Sequence, residues 1–209
     1  MKRTTVPLVE RDLLGAARAP ERADAARNRR KVLAAAEELF SARGVAAVSM
    51  DDVAAAAAVG KGTLYRRFGD KSGLASALLD ERESQLQQDL LGGPPPLGPG
   101  GEPVDRLAAF VAAYLAFVVT HLDLVAMSQT ASQGARLRVG SHRLWVHHCR
   151  MLLDEAGAPD PDVRADVLLA ALTAEQVRHW TSTQQRAPTE LRNSLTRLAR
   201  TLASGLPHG

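Results

Sequence analysis

Isoleucine is absent from the 209-residue chain, and Phe, Trp and Tyr together make up only 4% of it. The hydrophobic fraction is nevertheless 45%, so Leu, Val and Ala must supply most of any buried core. Ala and Leu favour helices, whereas sheets favour β-branched and aromatic side chains. The composition therefore predicts an all-α fold, with one large domain or two small ones.

Cysteine is almost absent as well, because Cys149 is the only one in the chain. A single cysteine excludes an intrachain disulfide and fits a reducing compartment. The N-terminal residues lack the apolar segment of a secretory signal, and no run of about 18 apolar residues indicates a membrane span. We therefore expect a cytoplasmic protein with no membrane partner.

Charge is unevenly distributed along the chain. The formal net charge is +3, but residues 1–71 hold 14 Lys/Arg against 9 Asp/Glu, and residues 72–209 hold 12 against 14. A basic N-terminal third on a slightly acidic body indicates a segment that faces nucleic acid. Small imbalances of this kind are also common in proteins without such a partner.

Caps and breaks along the N-terminal third predict several short helices. Residues 1–25 are charged and are expected to form a flexible basic arm, and residues 26–43 form a helix that stops at Gly44. Ser49 is the predicted N-cap of the next helix, because Asp51 and Asp52 follow in its first turn. Further breaks at 59–60 and 69–70 leave a short helix that ends at Phe68.

The rest of the chain is expected to be helical too, apart from one segment rich in Gly and Pro. That segment, residues 92–101, is predicted to be a disordered loop, since proline removes a donor and glycine raises the entropy cost of order. Helices are predicted over residues 71–91, 103–121, 122–132, 141–155, 161–181 and 188–202. We expect a helix-turn-helix domain over residues 26–75 and a ligand-binding and dimerisation domain over residues 76–209.

The stretch VGKGTLYRRFGDKSGL, residues 59–74, is the most informative part of the sequence. Two short helices joined by a tight turn and buttressed by a third form a helix-turn-helix. On the second helix Leu64 and Phe68 fall on an inner face, while Arg66 falls outward, where it can donate to guanine O6 and N7. Gly62 allows the backbone to come close to DNA.

A wider pattern supports this interpretation. The order and spacing of AAAEELFSARG, DDVA and GTLYRRFGDKSGL within residues 26–79 resemble the DNA-binding head of the TetR family of one-component repressors. The resemblance implies a homodimer that binds a palindromic, double-stranded DNA operator and is released by a small-molecule effector. It covers about a quarter of the chain and requires no cofactor.

The resemblance also implies which side chains meet DNA. Recognition-helix contacts and phosphate contacts are expected from Lys61, Gly62, Thr63, Tyr65, Arg66 and Arg67, with Ser49 as a cap beside a phosphate. Lys71 matches the family's phosphate-binding lysine, and Arg29 and Arg30 are the best candidates for contacts from the first helix. Two positions depart from the family pattern: Ala58 stands where a turn glycine is usual, and Gly60 where serine is frequent.

The body carries no specific motif, and its assignments are correspondingly general. The resemblance implies that the last two helices pair with their copies in a second protomer. For the effector, an apolar or aromatic molecule is expected, because the scarce aromatic residues concentrate in this region. The candidate ligand-binding residues are Phe110, Tyr114, Phe117, His121, Met127, Trp145, His148 and Trp180.

Other functions are less well supported by the sequence. The cluster WVHHCR, residues 145–150, contains metal-binding residue types, but neighbouring helical residues point about 100° apart, so no metal site is assigned. No catalytic constellation is found, so the chain is not expected to be an enzyme. A nonspecific DNA-binding protein and a metal-sensing regulator remain alternatives to the ligand-released repressor.

Overall fold

The computed structural model describes the backbone of residues 8–130 and 140–204 and the side chains of residues 24–129 and 142–204. Within these ranges the chain forms helices and connecting loops and contains no strand, which confirms the all-α prediction. The chain divides into two compact units, Met1–Leu74 and Ala75–Gly209. We call them the head and the body.

The head contains three helices and the start of a fourth. They are α1 (Leu8–Arg43), α2 (Met50–Ala56), α3 (Lys61–Phe68) and α4 (Lys71–Gly92), the last of which continues into the body. The residues that hold the head together recur at helical spacing, with Val32, Leu33 and Ala36 of α1 buried together with Val53 and Leu64. Helical spacing in the sequence predicts one face of α1 with Val32, Ala36, Leu39 and Arg43, and with Leu33 and Phe40 beside it. The apolar part of that face packs inward, whereas Arg43 is exposed.

Helix α1 begins at Leu8, although a flexible arm was expected over residues 1–25. Most of residues 8–25 are Ala, Leu, Arg and Glu, which are strong helix formers, and the helix runs through this segment although it contains Gly15 and Pro20. The side chains of Arg18 and Arg22, which belong to that expected arm, lie outside the described residues.

The ends of α2 follow the predicted capping chemistry. Ser49 is the N-cap: its hydroxyl accepts from the Asp52 N–H, and the Asp52 carboxylate accepts from the Ser49 N–H, which completes a capping box. At the other end Ala58 has φ of 52°, and the Val59 N–H donates to the Ala54 carbonyl in a Schellman arrangement. The turn therefore does require a left-handed residue where the sequence has Ala58.

The body consists of further helices around one main core. They are α5 (Pro103–Thr120), α6 (Leu122–Thr130), α7 (Gly140–Glu155), α8 (Pro161–Ala171), α9 (Ala174–Arg178), which continues as a π-helical turn (His179–Thr183), and α10 (Pro188–Ser204). Phe110, Trp145, Leu152 and Leu168 are among the fully buried side chains of that core. The aliphatic residues that the composition favours thus surround a small aromatic centre.

Two features of the body differ from the prediction. The single helix expected over residues 161–181 is interrupted, because Thr173 adopts extended angles and its hydroxyl accepts from the Gln176 N–H as an N-cap. The Gly/Pro loop, expected to be disordered, forms defined turns. In it the Gly98 N–H donates to the Pro94 carbonyl, and Leu97 packs against the body core.

Helix α5 corrects the expectation that no segment is long and apolar enough to span a membrane. Its 18 residues have a mean hydropathy of 1.5, which meets that requirement by length and composition. Leu107, Phe110, Val111, Leu115 and Val118 of this helix are buried in the body core. The apolar character of α5 is therefore accounted for by packing within the protein.

Candidate functional site

Helix α3 separates its apolar and polar side chains onto two faces. Leu64 and Phe68 are 1% and 8% exposed, whereas Tyr65 is 46% exposed. The other predicted contact residues of this helix are also exposed, namely Lys61, Gly62, Thr63, Arg66 and Arg67. The inward and outward assignments made from the sequence are both confirmed, and the outward face carries donors suited to phosphates and base edges.

The N-terminus of α3 is open as well as polar. Its N-cap is Gly60, which makes no side-chain capping bond, and a Cβ placed on Gly62 would meet nothing within 4 Å. The first amides of a helix carry a partial positive charge and bind anions readily. A DNA backbone can therefore approach this end of α3 without steric obstruction from the helix itself.

Several polar side chains of α3 already have partners within the head. The Lys61 Nζ donates to Asp51 Oδ2 at 2.6 Å, and this hydrogen bond raises the pKa of the Lys61 ammonium above its ordinary value. The Arg66 Nη2 lies 3.4 Å from the Thr63 hydroxyl. Sequence reasoning missed the role of Asp51, which was noted only as an acidic residue in the first turn of α2.

Arginines near α1 contact a backbone carbonyl and an aromatic ring. The Arg67 Nη1 donates to the Ala25 carbonyl at 2.9 Å, and the Arg29 guanidinium lies 5.9 Å from the centre of the Phe68 ring. Arg30 is exposed on α1. The contact between Arg67 and Ala25 joins residues 42 positions apart, so no local sequence pattern indicated it.

Ser49 and Lys71 are both engaged at the connection between α1 and α2. The Ser49 N–H donates to Asp52 Oδ2 at 2.9 Å, and this bond, followed by that from the Ser49 hydroxyl, holds the pKa of Asp52 below its ordinary value. The Lys71 Nζ donates to the carbonyls of Val45 at 2.9 Å, Ala46 at 3.2 Å and Val48 at 2.8 Å. Lys71 is half-buried there.

In the body, the predicted ligand residues of α5 form a row of rings. The ring centroids of Phe110 and Tyr114 are 5.7 Å apart, those of Tyr114 and Phe117 6.1 Å, and those of Phe117 and His121 5.0 Å. Trp145 of α7 packs 5.7 Å from both Phe110 and Tyr114. The structure thus brings together five of the residues that the sequence analysis grouped.

His148 joins this aromatic row, and two remaining candidates lie apart from its ring contacts. The His148 ring lies 5.4 Å from Phe110, and burial, together with the positive charge of Arg106, lowers the pKa of His148 to about 4. At neutral pH the His148 imidazole is therefore uncharged.

Trp180 packs against the same core from the π-helical turn, and Met127 is half-buried on α6.

Buried polar atoms occur at this aromatic centre. Trp145 Nε1, His148 Nε2 and Arg106 Nε have no hydrogen-bond partner among the described residues. An apolar groove of about 210 Å³ lies elsewhere, lined by residues of α5 and α10 such as Ala112, Leu115 and Arg192. None of the eight predicted ligand residues lines this groove.

The cysteine and histidines of α7 do not form a metal centre in the described residues. Burial raises the pKa of the Cys149 thiol, which disfavours the thiolate that binds metals. Across the described part of the chain, no three His, Cys, Asp or Glu side chains are gathered where they could hold a metal ion.

Comparisons with known proteins place these features in a family. The model of the bacterial regulatory proteins of the tetR family matches residues 32–78, which include α2 and α3. The HTH-type transcriptional repressor Rv3405c of Mycobacterium tuberculosis is 44% identical over 55 residues, which are 26% of this chain. The match spans 29% of the length of that relative.

Solved structures are similar over most of the chain. A TetR-like transcriptional regulator from Rhodococcus sp. RHA1 has a TM-score of 0.57 and 26% identity, covering 82% of this chain and 93% of the other. A regulator of the TetR/AcrR family from Thermobifida fusca has a TM-score of 0.61 and 23% identity, covering 83% and 96%, and shows the same fold. The head therefore matches the model of the tetR family of bacterial regulatory proteins, and the chain shares the fold of these solved TetR-type regulators.

Proposed function

We propose that this protein is a transcriptional repressor that binds palindromic operator DNA as a homodimer and is released by a small-molecule effector. The observation that carries the proposal is the separation of faces on α3, where the apolar side chains are buried and the polar ones are exposed. A helix that reads the bases of the major groove needs this arrangement. Its inner face must pack against the protein, while its outer face donates hydrogen bonds to DNA.

The contact residues follow from that face. Arg66 donates to guanine in the major groove, and Lys61, Thr63 and Tyr65 bind neighbouring bases and phosphates. Further backbone contacts come from Arg29, Arg30, Ser49, Gly62 and Arg67. Lys61 must exchange its ion pair with Asp51 for a phosphate, so its contact is weaker than that of an unpaired lysine.

A homodimer is needed because one such helix offers few base contacts. Two heads spaced about 34–36 Å apart read successive major grooves of a palindrome. Exposed apolar side chains on α8 and α10 support pairing through these helices: Val163 is 63%, Val167 52% and Leu198 40% exposed. Leu168, Leu172, Leu191 and Leu195, in contrast, are buried within their own chain.

The effector is proposed to be apolar or aromatic and to bind in the body beside the ring cluster of α5 and α7. Binding favours the body conformation in which the heads no longer fit the operator, by as much as the effector's affinities for the two states differ. Because such a protein acts on chromosomal DNA, we place it in the cytoplasm.

The test is a binding measurement on the DNA upstream of the chain's own coding region. Fluorescence anisotropy of a labelled duplex should show tight, sequence-specific binding by the wild type. Arg66→Ala should lose about 1–3 kcal/mol on the best site and relax the preference at one base position. The control is Arg143→Ala, which removes an exposed arginine of α7 in the body.

The outcomes separate the proposed function from its alternatives. A protein that binds all duplexes alike, with strong salt dependence, would be a nonspecific DNA-binding protein. If Arg66→Ala binds the upstream duplex as tightly as Arg143→Ala does, α3 is not the recognition helix.

A further inference from the structure

Hydrogen bonds from two side chains hold the loop that connects α1 and α2. Four successive carbonyls, from Val45 to Val48, accept hydrogen bonds from two cationic side chains. Lys71 donates to the first, second and fourth of them, and the Arg43 Nη2 donates to the third, Ala47, at 3.3 Å. A short loop that would otherwise leave these acceptors to water is thus fixed to α4 and α1.

These bonds occupy all three N–H donors of the Lys71 ammonium group. An ammonium group has three N–H donors and no acceptor, and here each donor has a carbonyl at 3.2 Å or less. The apolar side chains of the loop also hold it in place, since Val45 and Val48 are buried in the head core. Lys71 can reach a DNA phosphate only by breaking one of these bonds.

The position of Lys71 explains what the bonds achieve. The connection ends at Ser49, the N-cap of α2, and Lys71 is the first residue of α4, directly after the turn that follows α3. The loop and the lysine therefore flank the helix-turn-helix at its beginning and at its end. The side chain ties these two ends together across 23 to 26 residues.

We propose that Lys71 is a positioning residue, which staples the two ends of the helix-turn-helix through three loop carbonyls and neutralises no DNA phosphate. This replaces the phosphate contact expected from the sequence. The inference rests on the proposed DNA binding for one of its two readouts, and the other readout uses the free protein.

The first readout is the salt dependence of operator affinity, measured by anisotropy with a duplex selected from a random library. Lys71→Met should weaken binding at least about tenfold, while the salt slope, taken as the magnitude of the change in log K per unit of log salt, stays that of the wild type. Each lost phosphate contact would lower this magnitude by about 0.9. Lys61→Met, a lysine of the same head, is the matched variant and should lower that slope. A fall of about 0.9 per protomer in Lys71→Met overturns the proposal.

The second readout is hydrogen exchange of the Ser49, Asp52 and Val53 amides, whose hydrogen bonds form at the end of the loop, in the full-length protein without DNA. Lys71→Met should accelerate this exchange on the order of tenfold or more, because the loop loses its link to α4. Lys61→Met should leave it unchanged. Unaltered exchange in Lys71→Met overturns the proposal, even if no duplex binds to the wild type and the proposed function fails.

Lys71→Gln covers the case in which Lys71→Met does not fold, as judged by its circular dichroism. Glutamine is uncharged but keeps two donors. We expect it to retain part of the exchange protection and the full wild-type salt slope. A reduced slope with full protection in Lys71→Gln would identify a phosphate contact and overturn the positioning role.

Discussion

At the scale of single residues, a substitution in the turn of the helix-turn-helix has a definite conformational consequence. The sequence places Ala58 where the family pattern has glycine, and the structure gives this residue φ of 52°. A Cβ in the left-handed region meets the following carbonyl, whereas glycine adopts this conformation freely. The head therefore carries strain at one exposed position of its turn.

Ala58→Gly should remove that strain and stabilise the head by at most about 1 kcal/mol, part of the gain being offset by the greater freedom of glycine in the unfolded chain. Hydrogen exchange of the α2 and α3 amides measures the change. The matched control is Ala55→Gly, an exposed position with helical angles, which should cost up to about 1 kcal/mol. A loss in Ala58→Gly equal to that in Ala55→Gly would contradict this account of the turn.

At the scale of elements, the turn between α3 and α4 depends on a glycine inside a helix. A Cβ on Gly73 would lie 1.9 Å from the Phe68 carbonyl oxygen, although the Gly73 φ itself is ordinary. The Asp70 carboxylate caps α4 by accepting from the Gly73 N–H at 2.8 Å. The last turn of α3 and the first turn of α4 therefore pack backbone against backbone.

Gly73→Ala should destabilise the head by about 1–3 kcal/mol, because the backbone carbonyl of Phe68 must move to admit the methyl group. Helix propensity alone predicts the opposite sign, a gain of about 1 kcal/mol. Gly62→Ala is the comparison, since open space surrounds that position and no clash opposes the gain. Thermal unfolding of both variants measures the effect, and stabilisation by Gly73→Ala would refute the close approach.

At the scale of the whole molecule, the proposed homodimer depends on apolar residues that one chain leaves exposed. Val167→Glu places a carboxylate on α8 in each protomer, so two like charges enter the pairing surface. We expect the dimer dissociation constant to rise at least about tenfold, because opposed like charges cost several kcal/mol. Sedimentation equilibrium measures this constant.

The control for the dimer is Leu91→Glu, which makes the same kind of change at a residue of α4 that is 76% exposed. It should leave the dissociation constant unchanged. Equal constants for Val167→Glu and the wild type would show that α8 does not pair.

Features that depend on neighbours along the chain could be predicted from the residues alone. Helical periodicity located the buried stripe of α1 and the two faces of α3, and Ser49 with its acidic partners located the start of α2. These signals suffice because capping and amphipathic patterns act over three or four residues. The break at Thr173 was missed because a lone threonine is a weak cap signal within a long apolar pattern.

Which polar groups meet across the chain depends on how its helices pack, and no local pattern predicted it. The bonds from Lys71 to the α1–α2 loop, from Arg67 to Ala25, and the packing of His148 against Phe110 join residues far apart in sequence. A charged side chain that looks solvent-facing in a local pattern can find its partners on another helix, and its role then depends on those partners. For this protein, local sequence patterns therefore predicted the helices of the DNA-binding head. The partners of Lys71, Arg67 and His148 depended instead on packing between residues far apart in the chain.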